Sequence, residues 1–226
     1  MRKIGILGGT FNPPHLGHLH MAKAALEEGS LDEIIWIPNG DPPHKKPEVS
    51  AADRFCMTEL AIEEEYGMSV SDLEIRRSGR SYMAETMEEL KKREPDTVMF
   101  LLCGADMLPG LASWYQASSI FRMAAIMAFR RIEGAAADPE TPGHSTLDEL
   151  LSPDLLFRDD LNKCAAFLRQ HGARVTVMKA KIPAVSSTEI RSLAREGSKD
   201  SIRKLKSLVP ERVASYITEH GLYRTK

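Results

Sequence analysis

Six short apolar runs rich in β-branched residues recur along the chain: KIGIL from Lys3, DEIIWIP from Asp32, MSVSDLEI from Met68, TVMFLLCG from Thr97, AAIMAFR from Ala124 and RVTVMKA from Arg174. Between most of them apolar residues return at helical spacing, over roughly Leu16–Glu28, Ala51–Glu65, Tyr82–Arg93, Tyr115–Arg122 and Asp159–His171. Alternation of this kind leaves each run needing cover on two faces, and the expected result is an α/β fold: a Rossmann-like, doubly wound parallel sheet with helices on both faces. Ligands of such sheets lie beyond the carboxyl ends of the strands, where strand order reverses. The glycine-rich turn after Leu7 and the GADML stretch after Leu102 both end predicted strands, so they are expected to meet over one crevice.

The alternation breaks in two places. From Glu133 to about Asp160 the chain turns to small residues, prolines and acids, which reads as a surface insertion peripheral to the chemistry, a flap or a subunit contact. From Ser186 the text carries helices and no strand, closing on VPERVASYITEHGLY, where Pro210 suits a first helical turn and Gly221 a stop. The expected division is a core over 1–185 and a small C-terminal helical segment over 186–226. Thirty Lys+Arg against 32 Asp+Glu leave a net charge of -2, giving no broad attraction to nucleic acid. Cys56, Cys103 and Cys164 lack metal or disulfide spacing, no run is long enough to span a membrane, and the chain enters a strand at once; a cytoplasmic setting with reduced thiols is expected. Homo-oligomerisation stays open.

The densest local signal is GGTFNPPHLGH, lying between the first strand and the first helix. Gly8 and Gly9 are expected to supply conformations closed to other residues and to let backbone approach a ligand. The amides of a helix start are unpaired and its dipole is positive, which suits a phosphate. His15 and His18, three residues apart, project toward that same space, where imidazoles can hydrogen-bond phosphate oxygens and supply charge. A zinc site on His15, His18 and His20 lacks a completing ligand, so no metal held by the protein is expected. Near the C-terminus, SSTEIR at Ser186–Arg191 reads on its own as a capping box of Ser186 with Glu189, while Arg191 adds a guanidinium able to grip phosphates.

Together these two stretches resemble the signatures of the nucleotidyltransferase superfamily, a Gly-Gly-(Thr/Ser)-Phe-Asp-Pro turn with His-x-Gly-His, and Ser-Ser-Thr-x-Ile-Arg. Asn12 stands where Asp is commoner. The resemblance implies transfer of a nucleotidyl group from a nucleoside triphosphate, with His15 and His18 catalytic and Gly8, Gly9, Thr10, Phe11, Ser186, Ser187 and Arg191 holding ATP. It implies Mg²⁺ as cofactor, bound mainly through the ATP phosphates.

IPNGDPPHKK, DLEIRRSGRSYMAETM, GADMLPGLASWY and the closing VPERVASYITEHGLY are, in combination, similar to the bacterial nicotinate-mononucleotide adenylyltransferases over almost the whole chain outside the insertion. That resemblance implies ATP and nicotinate mononucleotide as substrates and deamido-NAD as product. It also implies an acceptor site of His44, Lys45, Met83, Thr86, Trp114 and Tyr115, the amides of Met83 and Tyr115 receiving the nicotinate carboxylate. Ser81 is expected to cap the helix that follows it. Trp114 either stacks on the pyridine ring or is an ordinary core residue. Gly104 and Asp106 suit a ribose, an acid being a common partner of ribose hydroxyls. Lys46, in a cluster with His44 and Lys45, and Arg54, read as a surface position on its helix, rank lower. A transferase for the amide nucleotide and a non-catalytic nucleotide sensor are the alternatives.

Overall fold

A computed structural model of the chain describes residues 1–43, 46–132, 168, 170 and 172–224. His44, Lys45, Cys164, the 133–160 insertion and nearly all of the expected helix at 159–171 lie outside the described residues. Six strands form one sheet: β1 (Lys3–Gly9), β2 (Glu33–Pro38), β3 (Met68–Val70), β4 (Val98–Gly104), β5 (Ala124–Ile132) and β6 (Val175–Pro183). Every neighbouring pair is parallel and the order is β3-β2-β1-β4-β5-β6. The chain therefore winds outward from β1 to one edge and restarts at β4 toward the other, the doubly wound arrangement expected.

Alternate residues of each strand face opposite sides, which explains two separate cores. Leu7, Trp36, Leu102 and Phe129 pack beneath α1 (Leu16–Gly29) and α2 (Ala51–Ile62). The same core takes in Ile190, Leu205, Val213 and Ile217 from the C-terminal helices α7 (Ser187–Glu196), α8 (Lys199–Lys206) and α9 (Glu211–Glu219), which thus share the main core. On the other face Ile6, Ile37, Leu101 and Ile126 meet Met87 and Leu90 of α4 (Met83–Arg93) and Ile120 and Phe121 of α6 (Ala117–Met123). No helix among the described residues is long and apolar enough to cross a membrane.

Some boundaries differ from the sequence pattern. The run from Met68 is strand only to Val70, and Leu73–Arg76 is a helical turn, α3. Burying Leu73 and Glu74 at that turn replaces strand pairing at the sheet edge. Tyr115 precedes α6 instead of opening it, because Gln116 takes a left-handed conformation (φ 51°). A short turn (Ala105–Met107) and α5 (Leu108–Leu111) follow β4.

Candidate active site

β1 and β4 are neighbours at the point where strand order reverses, so the turn after Gly9 and the Gly104–Asp106 turn stand side by side at their carboxyl ends. Gly8 and Gly9 are still strand, pairing with Ile37 and Pro38 of β2. Neither has a positive φ, which corrects the expected use of their conformational freedom. Both instead lie close against side chains, and the one over Gly8 is the flexible end of Met83. A Cβ on Gly8 would lie 2.2 Å from the Met83 Cε, and one on Gly9 3.1 Å from the Phe11 ring. The left-handed conformation falls on Phe11 (φ 46°), a strained choice for a bulky residue. Its buried ring fits between His18, at a centroid distance of 5.1 Å, and Trp36, at 5.2 Å. A cis Asn12–Pro13 peptide then turns the chain into α1.

His15 is the N-cap of α1, and it makes a reciprocal pair with His18. The His18 amide donates to His15 Nδ1 (3.4 Å) and the His15 amide to His18 Nδ1 (3.3 Å). Each Nδ1 is therefore an acceptor, so each neutral ring carries its proton on Nε2 and presents a donor there. Burial, reinforced by the Arg131 charge, lowers His15 to about 3. Burial, with His15 and Arg131 nearby, also holds His18 well below its usual range. The expectation that these histidines bring positive charge is thus corrected: they are neutral donors. The amides of the helix start are also mostly spent, Leu16 on the Leu208 carbonyl (3.0 Å) and His18 on His15. The donors left to this turn are the imidazole Nε2 groups.

The SSTEIR segment docks directly on this turn. Ser187 Oγ donates to the Pro13 carbonyl (3.0 Å) and Arg191 Nη1 to the Asn12 carbonyl (2.9 Å). Ser186 caps α7, accepting from the Thr188 amide (3.2 Å), but the capping box does not close: Glu189 pairs with Lys204 at 2.7 Å. The remaining side of Arg191 meets Glu48, which also binds Arg195, each at 2.7 Å. Asn12 Oδ1 accepts from Tyr223 Oη (3.0 Å), so the C-terminal stretch seals the turn from behind.

On the acceptor side, Ser81 does not cap α4 as expected. Tyr82 is the N-cap and no side chain caps the helix, leaving its first amides uncapped. The Ser81 hydroxyl instead accepts from Gly40 (3.0 Å) and Asp41 (3.3 Å). Met83 lays its thioether over Gly8. Thr86 is fully buried and donates to the equally buried Glu74 (2.7 Å), which also accepts from Asn39 Nδ2 (2.7 Å). The Tyr82 and Tyr115 rings meet at a centroid distance of 4.5 Å, tilted by 36°, with Tyr115 exposed. Trp114 is half-buried against the second core. Asp106 faces Arg131 at 3.6 Å, and both crowd Gly104, where a Cβ would meet Asp106 Oδ1 at 2.3 Å. Lys46 is exposed.

Four residues at this opening escaped notice or were misjudged in the sequence. Arg131, on β5, is a charge that acts on both histidines. Glu48 and Glu74 carry no motif of their own. Arg54, taken for a surface residue, is 1% exposed. Its signal was present: Arg54, Met57, Thr58 and Ala61 form the buried stripe of α2 at helical spacing.

Two phosphate-suited motifs meeting at the switch point of a doubly wound sheet define a nucleotidyl-transferring α/β protein, and the cytidylyltransferase-like family matches residues 6–193. A relative from Synechococcus sp. (strain JA-3-3Ab), named probable nicotinate-nucleotide adenylyltransferase, is 37% identical over 98% of this chain and 95% of its own. One of the same name from Clostridium tetani is 35% identical over 99% and 100%. The chain belongs to the nicotinate-nucleotide adenylyltransferase family. Its fold also matches the solved Plasmodium falciparum nicotinic acid mononucleotide adenylyltransferase complexed with NaAD, with a TM-score of 0.72 at 16% identity, covering 99% of this chain and 98% of that one.

Proposed function

We propose that the chain transfers AMP from ATP to nicotinate mononucleotide, yielding deamido-NAD and pyrophosphate. A phosphate oxygen of the mononucleotide attacks the α-phosphorus of ATP; the bond to the bridging oxygen breaks, and pyrophosphate leaves with its electron pair. The carrying observation is the docking of Ser187 and Arg191 on the Pro13 and Asn12 carbonyls, which puts both phosphate motifs at one opening. Alignment and charge stabilisation suffice for such a transfer, without a covalent intermediate.

His15 and His18 donate through Nε2 to α- and β-phosphate oxygens. In the ligand-free fold both rings are neutral, so what they offer the phosphates is a pair of Nε2 donors. Arg191 supplies cationic grip on the β- and γ-phosphates, with the Ser186 hydroxyl and the first amides of α7 beside it; the Ser187 hydroxyl proton is already engaged. Gly8, Gly9, Thr10 and Phe11 form the bed under the nucleotide, and Gly104 and Asp106 suit its ribose. On the acceptor side, the uncapped amides at Met83 and the Tyr115 backbone receive the carboxylate and Trp114 offers a face to the ring; the sequence resemblance alone assigns the phosphate to His44 and Lys45, which lie outside the described residues. Thr86 acts from beneath, steadying α4 through Glu74.

A divalent ion is the usual companion of such a transfer, and we assign Mg²⁺. No group of three metal-ligating side chains occurs among the described residues, and the lining of arginines and neutral donors suits an ion brought in on phosphate oxygens and water. When bound, the ion neutralises charge on the leaving pyrophosphate. We place the reaction in the cytoplasm, in keeping with the free thiols of Cys56 and Cys103; burial pushes Cys103 up to about 12, which keeps it unreactive.

The test is pyrophosphate release from ATP with nicotinate mononucleotide, nicotinamide mononucleotide or no acceptor. Turnover greatest with the acid nucleotide supports the reading. Preference for the amide gives a different transferase, and no turnover with any acceptor gives a nucleotide-binding protein.

A further inference from the structure

Arg54 is fully buried on α2, yet it has no ion-pair partner among the described residues. Its guanidinium spans two loops: Nη1 donates to the Thr10 carbonyl at 2.8 Å and Nη2 to the Gly40 carbonyl at 3.0 Å. Its Nε has no hydrogen-bond partner among the described residues. An uncompensated buried charge is expensive, and an apolar residue would fill this stripe more stably. The bidentate fork therefore points to a geometric purpose, since a planar guanidinium can fix the separation of two carbonyls as no aliphatic side chain can.

Gly40 is held from two further sides. Its amide donates to Ser81 Oγ at 3.0 Å, and a Cβ there would lie 2.2 Å from the Glu74 carbonyl oxygen. Ser81 in turn donates its amide to the Asp41 carbonyl (2.9 Å) and directly precedes Tyr82, the N-cap of α4. A continuous chain of contacts thus runs from Thr10 through Arg54, Gly40 and Ser81 to the start of α4.

We propose that Arg54 and Ser81 hold Gly40 as a fixed strut between the donor turn and the acceptor helix, making Arg54 a positioning residue for the attack. This rests on the functional reading above, which puts ATP on the turn and nicotinate mononucleotide at the start of α4. Each substrate is gripped by its own side of the opening, so the strut sets the distance between nucleophile and α-phosphorus without contributing to either affinity. Misplacement of reacting groups by about 1 Å can cost on the order of 10²-fold in rate.

The experiment compares Arg54→Lys, Ser81→Ala and the double variant by steady-state kinetics, with ATP-binding stoichiometry from calorimetry. Expected for Arg54→Lys is a kcat at least about tenfold lower with KM for both substrates within about threefold of wild type and full binding stoichiometry, the signature of lost alignment. Ser81→Ala should move kcat the same way, and the double variant should lose little more than the worse single one, because one strut breaks only once. A kcat within twofold of wild type, a loss confined to KM, or a kcat that falls only with the binding-competent fraction overturns the proposal. If Arg54→Lys does not fold, Ser81→Ala decides by the same criteria. If wild type makes no dinucleotide from nicotinate mononucleotide, the functional reading fails separately. The strut is then judged by hydrogen exchange of the Gly40 amide in Ser81→Ala and Arg54→Lys: exchange about tenfold faster supports it, and unchanged exchange overturns it.

Discussion

The imidazoles of His15 and His18 stack face to face, with centroids 3.6 Å apart and planes 21° apart, while each Nδ1 accepts the other residue's amide. Two like cations could not occupy this arrangement, so it is a neutral pair whose donors are fixed by the backbone. Removing His18 should therefore cost transition-state stabilisation more than ground-state binding. His18→Ala is expected to lower kcat by about 10²–10³-fold, the usual effect of deleting one such donor. A kcat within twofold of wild type would remove His18 from the chemistry.

The same pair makes stability depend on pH. The His15 pKa lies at about 3 in the fold against 6.5 unfolded, so below pH 6.5 the unfolded chain takes up a proton that the native one refuses. Stability is full above pH 6.5 and falls as pH drops toward 3. At pH 5.5 this one group removes on the order of 1 kcal/mol. His15→Asn keeps an N-cap oxygen and deletes the titration. Urea denaturation at pH 7.5 and 5.5 should show a smaller acid loss in the variant; equal losses would contradict the assignment.

Arg191 is expected to serve ATP alone, since only ATP carries β- and γ-phosphates. Charge-assisted hydrogen bonds contribute about 1.5–3 kcal/mol, so Arg191→Ala should weaken ATP by roughly tenfold to a hundredfold and nicotinate mononucleotide far less. Calorimetry with each ligand measures this, and equal losses for both would separate SSTEIR from the triphosphate.

On the proposed reading, choice between acid and amide rests on the uncapped start of α4. A carboxylate satisfies amide donors that a carboxamide NH₂ cannot, and a buried unpaired donor costs about 1–3 kcal/mol, so kcat/KM should favour the acid nucleotide by at least about tenfold. Met83→Thr should leave that ratio nearly unchanged, because it alters the cover over Gly8 and keeps the amide. Trp114→Ala should weaken both acceptors together, as stacking reads the ring and not its substituent. Equal kcat/KM for acid and amide would discard the carboxylate pocket.

Apolar periodicity made the layers of this fold legible, because strands and helices bury faces with different repeats. β4 and α1 lie within a residue or two of their sequence patterns. The motifs likewise marked both phosphate-suited segments. Cross-chain allocation of hydrogen bonds was not legible. Ser81 looked like a cap because capping is a local pattern, whereas its partners at Gly40 and Asp41 lie about forty residues away. The glycines after Leu7 suggested unusual torsions, yet neither has a positive φ, and what lies over Gly8 is Met83, a residue of a distant helix. Arg54 was misjudged for a different reason: its buried stripe was visible, but charge overrode position in the reading.

The Tyr223 hydroxyl bound to Asn12 links residues 211 apart. On the ribosome the turn at Asn12 emerges 211 residues ahead of Tyr223. The nascent chain can pair β1 with β2 long before α9 and the closing turn arrive, but the turn at Asn12 lacks its backing until Tyr223 has been made. Such a distant closure makes loop entropy a late and sizeable part of folding. A nascent chain that has not yet reached Tyr223 consequently carries His15 and His18 on a turn without its backing, so the candidate site is completed only once the helices from Ser187 onward have been made.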